Sequence, residues 1–375
     1  MPRWTLMFTL GVLALPLPAR ADPVADTTAS VIDPADKAAK SKPGVSFVAM
    51  PIPLANPAIG NGLGVGAIAL YKPGGSPRPW TSGVGGFYTD TRSWGVAAFQ
   101  KAYIDDDRYR VIAGAGGGVF NIKFYGIGSD AGSRGRSIDL EEDAIGGLAE
   151  VLVRVGPKVH AGLRYRGAKV DTRLKLPALP RFPDLVPPDI ELKSAVSQLG
   201  LSGEYDSRDN EYSPNTGIYA NGQWLVSDKA LGSDFDYDLL NAAVNGYHRL
   251  DERSLLAWRG SICHAGDGAP FYDICNFGAN NDLRGYPAGQ FRDKAMFALQ
   301  AEYRRKLFWR IGGTAFVGVG EVAREFGKMS TGDLLPAAGV GLRFEASKKY
   351  GVNASIDVAV GKDVSAAYFY IGEAF

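Results

Sequence analysis

FALQAEYRR, residues 297–305, places Phe297, Leu299, Ala301 and Tyr303 on one face of an extended chain and Gln300, Glu302 and Arg304 on the other. Successive side chains of a strand point to opposite sides, so this contrast at a period of two marks a strand with one oily and one wet face. The same alternation recurs along the chain. In 338–345, Val340, Leu342 and Phe344 oppose Gly339, Gly341, Arg343 and Glu345; in 352–361, Val352, Ala354, Ile356, Val358 and Val360 oppose Asn353, Ser355, Asp357 and Gly361. In 159–166, Val159, Ala161, Leu163 and Tyr165 oppose His160, Gly162, Arg164 and Arg166. A soluble two-sheet sandwich alternates as well. Here the apolar face continues from strand to strand, the other face carries charges and glycines, and the strands outnumber those of a sandwich of this size.

Working outward, sixteen strands are predicted, at about 45–54, 63–72, 81–89, 92–104, 108–125, 142–155, 158–170, 194–206, 216–227, 234–250, 253–265, 294–306, 310–322, 334–346, 350–361 and 366–375. The fold class that follows is all-β, a 16-stranded antiparallel transmembrane β-barrel of the bacterial outer membrane. Connection lengths agree with it. Stretches 126–141, 171–193, 228–233, 266–293 and 323–333 follow odd strands, whereas turns such as Gly156-Pro157, Asp251-Glu252 and Phe308-Trp309 follow even ones. Long outer loops and brief periplasmic turns are how such barrels are built. Two connections depart from the pattern: 206–215 is long where a turn is expected, and 90–91 is short where a loop is expected.

The rest of the chain sets the compartment. Arg3, the apolar stretch 4–17 and the Ala19-Arg20-Ala21 site read as a signal peptide over 1–21. Residues 22–44 are Ala, Asp, Lys and Pro without apolar periodicity, a flexible periplasmic N-terminal segment ahead of a barrel at 45–375. Export makes Cys263 and Cys275 candidates for a disulfide, worth about 3 kcal/mol for a loop of this length; two free thiols are the other reading. The 41 Lys+Arg and 40 Asp+Glu nearly cancel, which argues against a nucleic-acid partner. No run of 18 apolar residues marks a helical span.

Catalytic signatures are thin. His160, His248 and His264 fall on different strands, no G-x-S-x-G elbow occurs, and the glycine-rich 60–66 and 114–118 lack a following helix. We therefore expect no enzyme, no cofactor and no metal. Inward Arg154, Arg164, Arg166, Arg304 and Arg343, with Glu150, Glu204 and Glu302, read as the lining of a polar, water-filled lumen. The stretch PALPRFPDLVPP (177–188) reads as a stiff outer loop.

The segment Asp282-Leu283-Arg284-Gly285-Tyr286, between the eleventh and twelfth strands, resembles the [V/L]-R-G-[F/Y] motif of the bacterial surface antigen superfamily, the BamA/TamA-like outer-membrane barrels. The resemblance continues through YDSRDNEYSPNTGIY (205–219), ALQAEYRRKLF (298–308), GTAFVGVGEVA (313–323), GVGLRF (339–344) and FYIGEAF (369–375), about half the chain in the family's order. It implies a loop folded into the lumen and locked there by Leu283, Arg284, Gly285 and Tyr286, with Arg284 on an inner-wall carboxylate. Glu302 matches the family's wall glutamate. The aspartate common on the next strand is replaced by Gly318, leaving Asp357 or Glu345 to substitute. Phe369, Ile371 and Phe375, on one face of the last strand, are similar to the C-terminal assembly signal of outer-membrane barrels, with Glu373 on that face as a departure.

The function implied is insertion or translocation of protein, or of lipid, at the outer membrane, with client strands templated between the first and last strands. Pro51 and Pro53 would weaken that seam by removing ladder donors. The expected partners are outer-membrane lipid, periplasmic chaperones and the barrel assembly machinery during biogenesis, and an unknown polypeptide or lipid client. Residues 22–44 are too few for the family's periplasmic POTRA domains. The alternative is a passive, anion-preferring channel or an inert surface barrel.

Overall fold

The computed structural model describes residues 45–56, 59–76, 78–175, 192–211, 213–278, 282–347 and 352–375. The expected signal peptide, the segment 22–44 and the proline-rich 177–188 lie outside the described residues. The strands are β1 (Val45–Asn56), β2 (Gly60–Tyr71), β3 (Trp80–Thr89), β4 (Trp94–Ile104), β5 (Tyr109–Phe124), β6 (Ile138–Gly156), β7 (Val159–Leu174), β8 (Lys193–Asp206) and β9 (Gly217–Ser227). They continue as β10 (Tyr237–Arg249), β11 (Ser254–Ala265), β12 (Cys275–Asn276), β13 (Arg292–Asp293), β14 (Ala295–Phe308), β15 (Ile311–Ala323), β16 (Leu335–Ser347), β17 (Val352–Val360) and β18 (Ser365–Ile371).

One 16-stranded sheet runs β1 to β11 and then β14 to β18 in chain order, each strand antiparallel to the next; β12 and β13 pair with each other inside the loop between β11 and β14. Each of the sixteen predicted strands corresponds to a wall strand. The apolar face points outward: Leu163, Val317 and Leu342 are 56%, 60% and 60% exposed. Left in water, each such side chain would forgo about 1.5–3 kcal/mol of burial, and a continuous belt of them fits hydrocarbon.

Several strand ends and one connection differ from expectation. β6 starts at Ile138 instead of 142, because the Asp139 to Asp143 stretch that reads as loop extends the ladder with β5 and β7. Its Glu141 meets Arg173 at 3.3 Å and Lys175 at 2.8 Å on the outer side. A short helix, Ser129–Ser133, sits in the connection after β5. The last strand ends at Ile371 because Gly372 takes φ +91, a left-handed conformation that a β-strand cannot continue through.

The lumen differs more. Its long-loop half is filled largely by an apolar core. Phe120, Ile122, Phe124 and Leu140 on β5 and β6 point inward there, and the 266–294 loop fills the space with Phe271, Tyr272, Phe277 and Phe291. Polar lining continues through the lower half, where charges are paired with one another or with loops: Arg164 meets Glu150 at 3.1 Å, and Arg166 bonds Asp273 of the loop.

Candidate functional site

The 266–294 loop enters the barrel under two restraints. Cys263 on β11 is bonded to Cys275 on β12, with Cα atoms 5.7 Å apart, so the loop's entry is tied to the wall it leaves. Asp273 accepts hydrogen bonds from Arg166, Gln198 and Tyr237 of the wall. Burial pushes its carboxyl pKa up despite Arg166. On the returning side, burial draws the Arg292 guanidinium down to about 10, offset only in part by Glu142.

At the tip, Arg284 is fully buried. Its Nη2 lies 2.6 Å from Glu302 Oε2, its Nη1 2.5 Å from Asp357 Oδ2, and its Nε donates to Gln300 Oε1 at 3.2 Å. The guanidinium carbon sits 3.5 Å from the centre of the Phe316 ring, which covers its flat face. Two further arginines share the acids. Arg304 Nε is 2.6 Å from Glu302 Oε1, and Arg343 reaches Asp357 Oδ1 at 2.5 Å and Glu373 Oε2 at 2.8 Å. Arg284, Arg304 and Arg343 thus face Glu302, Asp357 and Glu373, and the charges cancel within the cluster. Cancellation of this kind is what makes such a group tolerable away from water.

The neighbours of Arg284 are equally engaged. Gly285 adopts φ +117, and a Cβ there would fall 3.1 Å from the backbone of Val360. Its N–H donates to the Tyr368 hydroxyl at 2.7 Å, and that hydroxyl donates to the Tyr286 carbonyl at 3.3 Å. The Tyr286 hydroxyl donates to the Pro336 carbonyl at 2.7 Å and accepts from the Lys362 N–H at 3.0 Å. Leu283 is buried against the wall where the family's aspartate would stand, so that a Cβ on Gly318 would lie 2.8 Å from Leu283 Cδ1. Asp357, two strands further on, supplies the second carboxylate. The tip is therefore held by β14, β15, β16, β17 and β18 together.

The expected common face of the last strand ends at Gly372. Phe369 pairs with outward Ile356, while the side chain of Ile371 lies outside the described set. Beyond Gly372, Glu373 turns in to Arg343, and Phe375 is buried with its carbonyl accepting from Arg304 Nη2 at 2.8 Å. Sequence reasoning missed Tyr368 and Tyr370. Their signal was available, since they alternate with Phe369 and so face the lumen, where the Tyr370 hydroxyl donates to Asp357 at 2.5 Å.

Below the tip lies a polar cavity lined by Glu150, Arg164, Asn221, Gln223, Asn241, Arg259 and Ser261 among others. Under it, at the short-turn end, a second ionic group crosses the mouth. Arg110 pairs with Asp107 at 2.6 Å and Glu204 at 2.5 Å, and Glu211, in the connection after β8, meets Lys101 at 2.8 Å.

A family model described as the Omp85 superfamily domain matches residues 83–359. No curated protein matches the sequence. Among solved structures the chain is similar to BamA from Haemophilus ducreyi lacking POTRA domains 1–3, at 15% identity and a TM-score of 0.57, over 89% of this chain and 69% of that one. It is also similar to CdiB from Escherichia coli, at 11% identity and a TM-score of 0.60, over 89% and 63% of the two chains. For CdiB from Acinetobacter baumannii the values are 11%, 0.56, 88% and 60%. At such identities the likeness is one of fold, and the chain spans less than two thirds of either CdiB. The matched residues run from β3 to β17 and contain the buried loop tip with Glu302 and Asp357, and on that match the chain belongs to the Omp85 superfamily of outer-membrane β-barrels.

Proposed function

We propose that this barrel inserts or translocates polypeptide, or lipid, at the outer membrane by opening between its first and last strands. The observation that carries the reading is the seam. β1 extends over 12 residues and β18 over 7 where the two ends of the sheet lie side by side, so the shorter strand can match the longer one only in part. Backbone N–H and C=O groups left unpaired at membrane depth cost several kcal/mol each, so this mismatch favours an added strand. A client strand would satisfy them by β-augmentation.

The loop tip bears on the same strand. Tyr368 and Tyr370 on β18 hydrogen-bond to Gly285 and Asp357, so the inner face of the last strand is held by the loop. Lipid, chaperones and assembly factors are the partners this activity requires. An open channel is disfavoured by the aromatic packing of the 266–294 loop in the lumen.

The test is a disulfide engineered between β1 and β18, assayed for function in cells depleted of the wild-type protein. Loss of function with a folded barrel, restored by a reductant, is expected. Full activity with the bond quantitatively formed would rule the seam out.

A further inference from the structure

The connection at 207–216 is long where the neighbouring ones, 157–158 and 250–253, are tight turns, and seam opening gives it no task. It does not hang free below the wall. Asp206 and Arg208 pair at 3.0 Å, the Arg208 guanidinium lies 4.1 Å over the Tyr219 ring, and its Nη1 donates to the Glu211 carbonyl at 3.1 Å. The Asp209 carboxylate accepts from the N–H groups of Asn215 and Thr216, at 2.9 and 3.2 Å. These bonds brace the segment so that Glu211 is projected away from the strands that bear it.

Glu211 reaches a part of the rim a quarter of the way round the mouth from its own strand. Its Oε1 accepts from Lys101 Nζ at 2.8 Å and from the Tyr103 hydroxyl at 3.4 Å, both on β4, and Arg78 lies 3.7 Å from Oε2. Three strands separate β4 from β8 in the sheet, so the contact spans the opening and does not follow the wall. Arg78 adds a second tie to the same side, 3.9 Å from Asp206 and 3.4 Å from Asp107. Directly above sits the polar cavity, where the Asn241 amide and the Ser261 hydroxyl are buried without hydrogen-bond partners, groups that a solute or water arriving from below would satisfy.

We propose that residues 206–211 form a latch across the periplasmic mouth, and that release of Glu211 from Lys101 and Arg78 opens the polar cavity to the periplasm. The latch is separate from the seam, because among the described residues none of its contacts involves β1, β18 or the loop tip. A static brace would show the same bonds, so the experiment must read access and not stability. The chain's two cysteines are bonded to each other, so a single introduced cysteine is a clean reporter.

Asn221→Cys places a thiol on the cavity wall. Its rate of modification by a bulky, charged maleimide is measured in detergent-purified barrel whose fold is verified by heat-modifiable mobility. Slow labelling is expected with the latch intact. Glu211→Gln, or Lys101→Met if that variant folds poorly, should raise the rate about tenfold or more, the scale set by losing a charge-assisted hydrogen bond. The exchange Lys101→Glu with Glu211→Lys should slow it again. Equal rates in all backgrounds, or fast labelling with the latch intact, would overturn the proposal; so would failure of the exchange to slow it.

Discussion

Truncating Arg284 to alanine tests the interior cluster most directly. Removing one partner of a buried ion pair typically costs ~3–5 kcal/mol, because the other charge is left uncompensated. Here the survivors keep company: Glu302 retains Arg304 at 2.6 Å and Arg343 at 3.5 Å, and Asp357 retains Arg343 and the Tyr370 hydroxyl at 2.5 Å each. The loss should therefore sit at the lower end, about 3 kcal/mol, which at 1.4 kcal/mol per decade is roughly a hundredfold in unfolding rate if the cluster forms late in folding. The assay is the rate at which folded barrel in detergent converts to the unfolded electrophoretic form at fixed temperature. Glu302→Gln should cost more than Arg284→Ala, since it strands Arg284, Arg304 and Arg343 around a neutral amide. Wild-type unfolding of Arg284→Ala, or a milder effect from Glu302→Gln, would refute the account of the cluster.

Restoring the family's aspartate with Gly318→Asp should destabilise the barrel, because the new side chain meets Leu283 Cδ1 at 2.8 Å from its first carbon; a higher unfolding temperature would contradict this. Acid should act on the latch in a defined window. Burial raises the Glu211 pKa, but Lys101, Arg208 and Arg78 overcome it and depress the group from 4.5 to about 2. A depressed folded pKa contributes stability above the unfolded value and loses it as pH falls through the folded one. The stability gap between wild type and Glu211→Gln should thus be constant from neutral pH down to about 5 and shrink between 4.5 and 2; a gap that closes near neutrality would disprove it.

The wall was legible in the sequence because lipid on one side and packed protein or water on the other impose a period of two that few other environments impose so uniformly. Leu163, Val317 and Leu342 are outward and exposed as their alternation requires. The loop tip was legible for a different reason: Arg284 and Glu302 sit in a short motif and on a strand of known phase. What alternation cannot convey is what a loop does inside a cylinder. Phe271 and Phe277 look like surface residues until the loop folds inward against Phe120 and Phe124, and then half of the supposed water is core. Nor does phase survive a left-handed glycine. At Gly372 the chain reverses its faces, which brings Glu373 to Arg343 after the alternation had assigned it to lipid. The choice of Asp357 over Glu345 as the second carboxylate for Arg284 depended on a pairing two strands away, information that a single strand's pattern does not hold.

Glu373 has a consequence for biogenesis. Of the three acids that neutralise the three guanidiniums, it alone comes from beyond the final wall strand. A nascent cylinder lacking that last stretch keeps a surplus of positive charge in a poorly hydrated interior, an arrangement that low dielectric penalises heavily. Among these six side chains the charges balance only once the segment beyond β18 has docked, so settling of the last strand and closure of the interior cluster are one event.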